Sequence, residues 1–158
     1  MFPARKILCP TDFSAASVQA FSNAAEIALH NVAEIYLVHV LPVLLADAES
    51  TVLMQLRDYE RILQPQQRLE QLAKPLLAKG IKVQTVVTRG DPATEIVNLA
   101  KQKMVDIIVI ATHGNTGWRR LAFGSVAEKV VRTATCPVLT IRSSAQGAAA
   151  DTDRGANT

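Results

Sequence analysis

The sequence predicts an α/β domain built on an open five-stranded parallel sheet with helices on both faces. Five strand-sized apolar runs alternate with four helical segments along the chain, the order of consecutive β-α-β units. The run Met104-Val105-Asp106-Ile107-Ile108-Val109-Ile110 is almost continuously apolar and β-branched, as expected of a strand buried on both faces. A glycine-bearing stretch from Ala111 to Val126 then joins this strand to a helix. In α/β proteins such a junction is a place to hold an anion, because helix N-terminal amides are free donors and glycine lets the backbone approach closely.

Each element has its own local warrant. Lys6 to Pro10 forms a first strand, and Ser14 or Asp12 caps a helix from Ala15 to His30 whose apolar residues Val18, Phe21, Ala25 and Leu29 recur at helical spacing. Glu34 to Val40 supplies the second strand, and Leu41 to Glu49 a loop with Pro42 near its start. The longest helix spans Ser50 to Lys79. Pro65 and Pro75 are candidate kinks within it, and Gly80 is its terminal cap. Ile81 to Thr88 alternates apolar and polar residues, which marks a half-exposed strand near a sheet edge. Asp91 caps the next helix with Pro92 in its first turn, and this helix runs to Lys103. After the glycine stretch, Ser125 and Glu128 form a capping box for a helix to Thr133. Pro137 to Arg142 is the last strand. Residues 1–142 are expected to be one domain, and the Ala-, Gly-, Ser-, Asp- and Thr-rich segment 143–158 a disordered tail.

Composition narrows the function classes. A chain of 158 residues with 49% hydrophobic and 20% charged residues has enough apolar material for a core without disulfide or metal. Cys9 and Cys136 lie far apart, each beside a proline, and read as small buried hydrophobes. The apolar runs are strand-sized and the chain enters its first strand at once, so neither a membrane partner nor a signal peptide is expected, and the location is read as cytoplasmic. A net charge of +3, spread among few aromatics, gives no footprint for nucleic acid. His30 and His39 have no metal spacing, and His113 lacks a recognisable nucleophile and orienting carboxylate, so it is read as orienting its loop.

In open parallel sheets ligands bind beyond the carboxyl ends of strands where the winding reverses. A reversal between strands 1 and 4 puts the loop Pro10-Thr11-Asp12-Phe13-Ser14 and the glycine stretch in one crevice, with Asp12 facing a ribose. Simpler roles stand beside these. Asp12 and Ser125 serve equally as helix caps, and Gly114, Gly117 and Gly124 as turn residues.

These residues resemble the ATP-binding branch of the universal stress protein family, from Lys6 to Arg142. The family motif is G-x-x-G, nine residues, then G-[ST]. Here Ala111-Thr112-His113-Gly114, nine residues from Asn115 to Phe123, and Gly124-Ser125 keep that spacing. The resemblance implies a Rossmann-like, adenine-nucleotide α-hydrolase-like fold with strand order 3-2-1-4-5. It implies ATP, with or without Mg²⁺, contacted by Pro10, Thr11, Asp12, Val40, Ile110, Ala111, Gly114, Gly124, Ser125 and Val126. Asp12 then meets the ribose, the Val40 backbone the adenine, and the glycine motif the ribose and phosphates. It further implies a homodimer through Pro137 to Arg142, an edge strand open to pairing.

Two departures matter. Ala111 replaces the first motif glycine and narrows the approach by a methyl. Asn115 stands where the family commonly has a basic residue, which leaves Arg119 and Arg120 as the nearest cations. No Walker A lysine spacing is present, so slow hydrolysis at most is expected of a nucleotide-dependent stress-response regulator. The rival readings are an adenylating or electron-transfer-flavoprotein-like enzyme, and an interaction module of the same fold that binds no nucleotide.

Overall fold

The computed structural model describes residues 4–43, 51–113 and 123–142. The strands are β1 (Lys6–Pro10), β2 (Glu34–Leu41), β3 (Val83–Arg89), β4 (Ile107–Ala111) and β5 (Val138–Ile141). Between them lie α1 (Ala15–Asn31), α2 (Thr51–Ala78), α3 (Pro92–Lys103) and α4 (Ser125–Thr133). All strand pairs are parallel, in the order β3-β2-β1-β4-β5.

Alternation along the central strands builds a core on each side of the sheet. Ile7, Cys9, Ile35, Leu37 and Val109 face α1 and α2, where they meet Phe21, Ala24, Ala28 and Leu69. Leu8, Tyr36, Val38, Ile108 and Ile110 face the opposite way, against Ile96, Val97, Ala100 and Val130 of α3 and α4. Successive strand side chains point to opposite faces, so the apolar runs of β1, β2 and β4 are the sequence of strands covered twice. The chain winds outward from β1 through β2 to β3, then returns across the sheet to β4. This reversal sits between β1 and β4.

Most boundaries match the sequence expectation, and the departures have local causes. Met104, Val105 and Asp106 do not belong to the fourth strand. Met104 ends α3 in the left-handed region with φ 52, its N–H bonded back to Ala100 and Lys101, and Val105 is buried behind it. Asp106 ties the strand bases together instead, its Oδ2 accepting the N–H groups of Arg5 and Lys6 at 2.8 Å. The third strand starts at Val83, because Ile81 turns inward after Gly80 (φ 80) and closes the end of α2 by donating to Leu76 O. Neither Pro65 nor Pro75 ends α2; its face bearing Leu69, Leu72, Ala73 and Leu76 docks on the sheet and holds the helix through both. Cys9 is buried as expected, which pushes its thiol up to about 12 and keeps it neutral. Cys136 is only half-buried, and both cysteines are free. Among the described residues no helix is long and apolar enough to cross a membrane.

Asp91 caps α3 as the sequence predicts, its carboxylate accepting from Thr94 N at 3.0 Å and Thr94 Oγ1 at 2.6 Å. It also receives Lys129 Nζ at 2.8 Å, so one side chain links the start of α3 to α4. The Lys129 hydrogen bond, helped by those from Thr94, holds this carboxyl down from 3.8 to about 2. The ionised form is therefore favoured in the folded chain. Its contribution is complete above pH 3.8 and is lost as pH falls toward 2, because the unfolded chain takes up the proton first. Melting followed across this interval is expected to show a falling midpoint that flattens in Asp91→Asn; an unchanged slope would remove the assignment.

Candidate functional site

The reversal between β1 and β4 brings two loops to the same end of the sheet. Thr11, Ser14, Ser17 and Thr112, the four buried polar residues among those described, all lie there. Their hydroxyls are engaged with the backbone and with one another. Thr11 Oγ1 lies 2.8 Å from Ser17 Oγ and accepts from Phe13 N at 3.0 Å, while Ser17 Oγ donates to Ser14 O at 2.9 Å. Ser14 settles the choice of cap for α1: its hydroxyl accepts from Ser17 N. Asp12 is thereby spared that duty. Its Oδ1 instead accepts from Ser14 N at 3.0 Å, an Asx turn that aims the carboxylate from the end of β1, where the residue is half-buried.

Phe13 is the distortion in this loop. It has φ 64, a left-handed conformation that is an outlier for a bulky side chain. Its ring has two partners. The His39 ring sits 4.6 Å away, centroid to centroid, and the Arg68 guanidinium 4.0 Å from the ring centre. His39 is itself fixed by a 2.8 Å bond from Nδ1 to Thr11 O. A carbonyl only accepts, so Nδ1 carries the proton. Sequence reasoning missed this trio entirely, finding only that His39 lacks metal spacing; nothing in local spacing signals a contact between residues 13 and 68.

On the other side of the crevice, β4 ends at Ala111, which is buried and outside the left-handed region. An alanine methyl is compatible with that backbone. Thr112 continues inward, its Oγ1 2.9 Å from His113 Nδ1. Gly114, together with the rest of 114–122, lies outside the described residues, as do Asn115, Gly117, Trp118, Arg119 and Arg120. Gly124 returns to the site by donating to Thr112 O at 2.5 Å. A Cβ on Gly124 would stand 3.0 Å from that same carbonyl, so the motif glycine is held by a close backbone approach and not by an unusual φ.

The expected capping box at the start of α4 does not form. Gly124 is the N-cap, with no side-chain cap, and Ser125 is the first helical residue. Glu128 turns along the helix to pair with Arg132 instead of reaching back. The helix begins one residue earlier than a Ser125 cap would allow, which places Ser125 inside its first turn. Ser125 is exposed and Val126 half-buried, so the first turn of α4 presents backbone donors without a side chain spent on them. Val40 lies near the end of β2, paired with Thr88, and Ile110 is buried next to Ala111. Pro10 and Thr11 close β1, with Thr11 N bonded to Val38 O. All the predicted site residues within the described part therefore belong to the carboxyl ends of β1, β2 and β4 or to the start of α4.

Known proteins share this fold. A family model described as "Universal stress protein family" matches residues 3–142. Over 143 residues the chain is 37% identical to universal stress protein MJ0531 of Methanocaldococcus jannaschii, covering 87% of this chain and 82% of that protein. The solved structure of protein MJ0577 from the same organism superposes with a TM-score of 0.73 at 28% identity, over 90% of this chain and 98% of the other. A universal stress protein of Archaeoglobus fulgidus, solved in complex with dAMP, shares the fold at a TM-score of 0.58 and 21% identity, over 89% and 98% of the two chains. With a family match across nearly the whole described sheet and a full-length relative above one-third identity, this chain belongs to the universal stress protein family.

Proposed function

We propose that this protein binds ATP in the crevice between the β1–α1 loop and the start of α4, and that occupancy is its regulatory signal. One observation carries the reading: the sheet reverses between β1 and β4, so Asp12 and the uncapped first turn of α4 converge at one end. The residues suit the parts of the nucleotide. Asp12, aimed by its Asx turn, accepts from ribose hydroxyls. The N–H groups of Ser125 and Val126 and the Ser125 hydroxyl donate to phosphate, where the helix dipole adds favourable field. The Val40 backbone borders the adenine, with Pro10, Thr11, Ile110 and Ala111 forming the walls. The extended backbone at Ala111 supports the site despite the missing glycine. That a protein of the same fold was solved with dAMP is in keeping with an adenine nucleotide.

The test is melting and hydrogen exchange of the nucleotide-stripped protein with and without millimolar ATP, with and without Mg²⁺. Ligand that binds only the folded state must raise the midpoint. ATP is also expected to slow exchange across 114–124, the surface whose ordering would be read by a partner. No midpoint shift would favour the rival reading, an interaction module without nucleotide, and unchanged exchange would remove the switch.

The proposed functional unit is residues 1–142, in the cytoplasm, as a homodimer. β5 is a sheet edge, Leu139 on it is 37% exposed, and Val131 of the adjoining α4 is 47% exposed. An unpaired apolar edge is a place for a second chain to pair. Light scattering at micromolar concentration is expected to give twice the chain mass, and a monomer would overturn the dimer.

A further inference from the structure

We infer that Arg68, Phe13 and His39 form a clamp that holds Asp12 in its binding geometry, making Arg68 of α2 a positioning residue for a nucleotide that it does not touch. This rests on the reading of Asp12 as a ribose contact. Phe13 follows Asp12 directly and takes φ 64, so the direction of the Asp12 carboxylate depends on a backbone conformation that a bulky residue does not choose alone.

The surroundings over-determine it. The Phe13 ring meets His39, whose Nδ1–H is fixed to Thr11 O at 2.8 Å, one residue before Asp12. The ring face also carries the Arg68 guanidinium at 4.0 Å. Beneath, Phe13 N is bonded to Thr11 Oγ1 and Ser14 N to Asp12 Oδ1. The contacts form a closed circuit from Thr11 through His39 and Phe13 back to Thr11. Arg68 is the member supplied by a different helix, so the docking of α2 on the sheet, through Leu69 beside it, is transmitted to the loop. Arg68 is exposed, which makes its removal a probe of the clamp and not of the core.

The experiment compares the full-length parent with Arg68→Ala and Arg68→Lys. It reads affinity for ATP and for adenosine by calorimetry, and exchange of the Phe13 and Ser14 amides by NMR. Arg68→Ala is expected to weaken ATP and adenosine by the same factor, up to about two- to fivefold, the upper bound set by the energy of an exposed cation–π contact acting through the population of the competent loop. Arg68→Lys is expected to recover most of it. The Phe13 and Ser14 amides are expected to exchange faster in Arg68→Ala, with the melting midpoint little changed. Loss of ATP affinity with adenosine unaffected would show a direct phosphate contact and overturn the positioning role. Unchanged affinities with unchanged exchange would overturn the clamp itself. A parent that binds neither ligand would remove the nucleotide reading, while the amide exchange would still decide whether Arg68 orders the loop.

Discussion

Gly124→Trp is expected to abolish the stabilisation that ATP gives the parent protein. Gly124 donates to Thr112 O at 2.5 Å, and even a bare Cβ would lie 3.0 Å from that carbonyl. The carbonyl is backbone at the end of a central strand, so it cannot yield as a flexible side chain does. An indole must therefore displace the junction or project from it, and either change disturbs the amides of the first α4 turn. At an ATP concentration a hundredfold above Kd the parent should gain about 2.7 kcal/mol, or roughly 5–10 °C in midpoint for a chain of this size. The variant should show none of this. Its midpoint without ATP is the control for folding, and Asp12→Ala, which leaves the Gly124 junction intact, is the independent check that the site and not the fold was lost. If Gly124→Trp melts like the parent and gains as much from ATP, the nucleotide lies elsewhere.

Leu37→Ala is expected to cost about 3–4 kcal/mol of folding stability, as truncation of a fully buried leucine leaves a cavity that a packed core cannot close. Leu37 is completely buried on β2, between β1 and β3, on the face covered by α1 and α2. Against a total stability of about 5–15 kcal/mol this is a large share, visible as a lower urea midpoint with an unchanged slope. Leu29→Ala is the comparison, because Leu29 on α1 is 49% exposed and its truncation should cost no more than about 0.5 kcal/mol. Equal losses at the two positions would mean that β2 is not packed as described.

Both variants rest on features of different legibility. The run around Leu37 already announces a strand, and the Asp91-Pro92 start of α3 carries its cap and its first-turn proline in plain view. The ends of α1 and α3 do not. Rules for helix termini look for glycine, but these helices close on Val32 (φ 54) and Met104 (φ 52). What decides them is the next residue in each case: Ala33 and Val105 are buried, and each donates to a carbonyl five residues back, Ala28 and Ala100. Burial in the tertiary structure outweighs the local cost of a left-handed residue. The start of α4 fails for a related reason. Ser125 and Glu128 have the spacing of a capping box, yet Gly124, bonded to Thr112 O at the end of β4, is the cap one residue earlier.

The sequence by itself determined the alternation of strands and helices, the double burial of β4, and the identity of the glycine junction, because periodicity and turn chemistry are local properties. Its family resemblance added the strand order. Only the tertiary structure decided how the loop ends are held: Ser14 and not Asp12 caps α1, Gly124 and not Ser125 caps α4, and Phe13 is gripped by His39 and Arg68. The reason is physical. The α1 cap is a local choice between two neighbouring side chains that spacing leaves open, whereas the α4 start and the grip on Phe13 turn on contacts between segments separated in the chain, formed where β1, β2 and β4 end side by side, which no short window of residues contains.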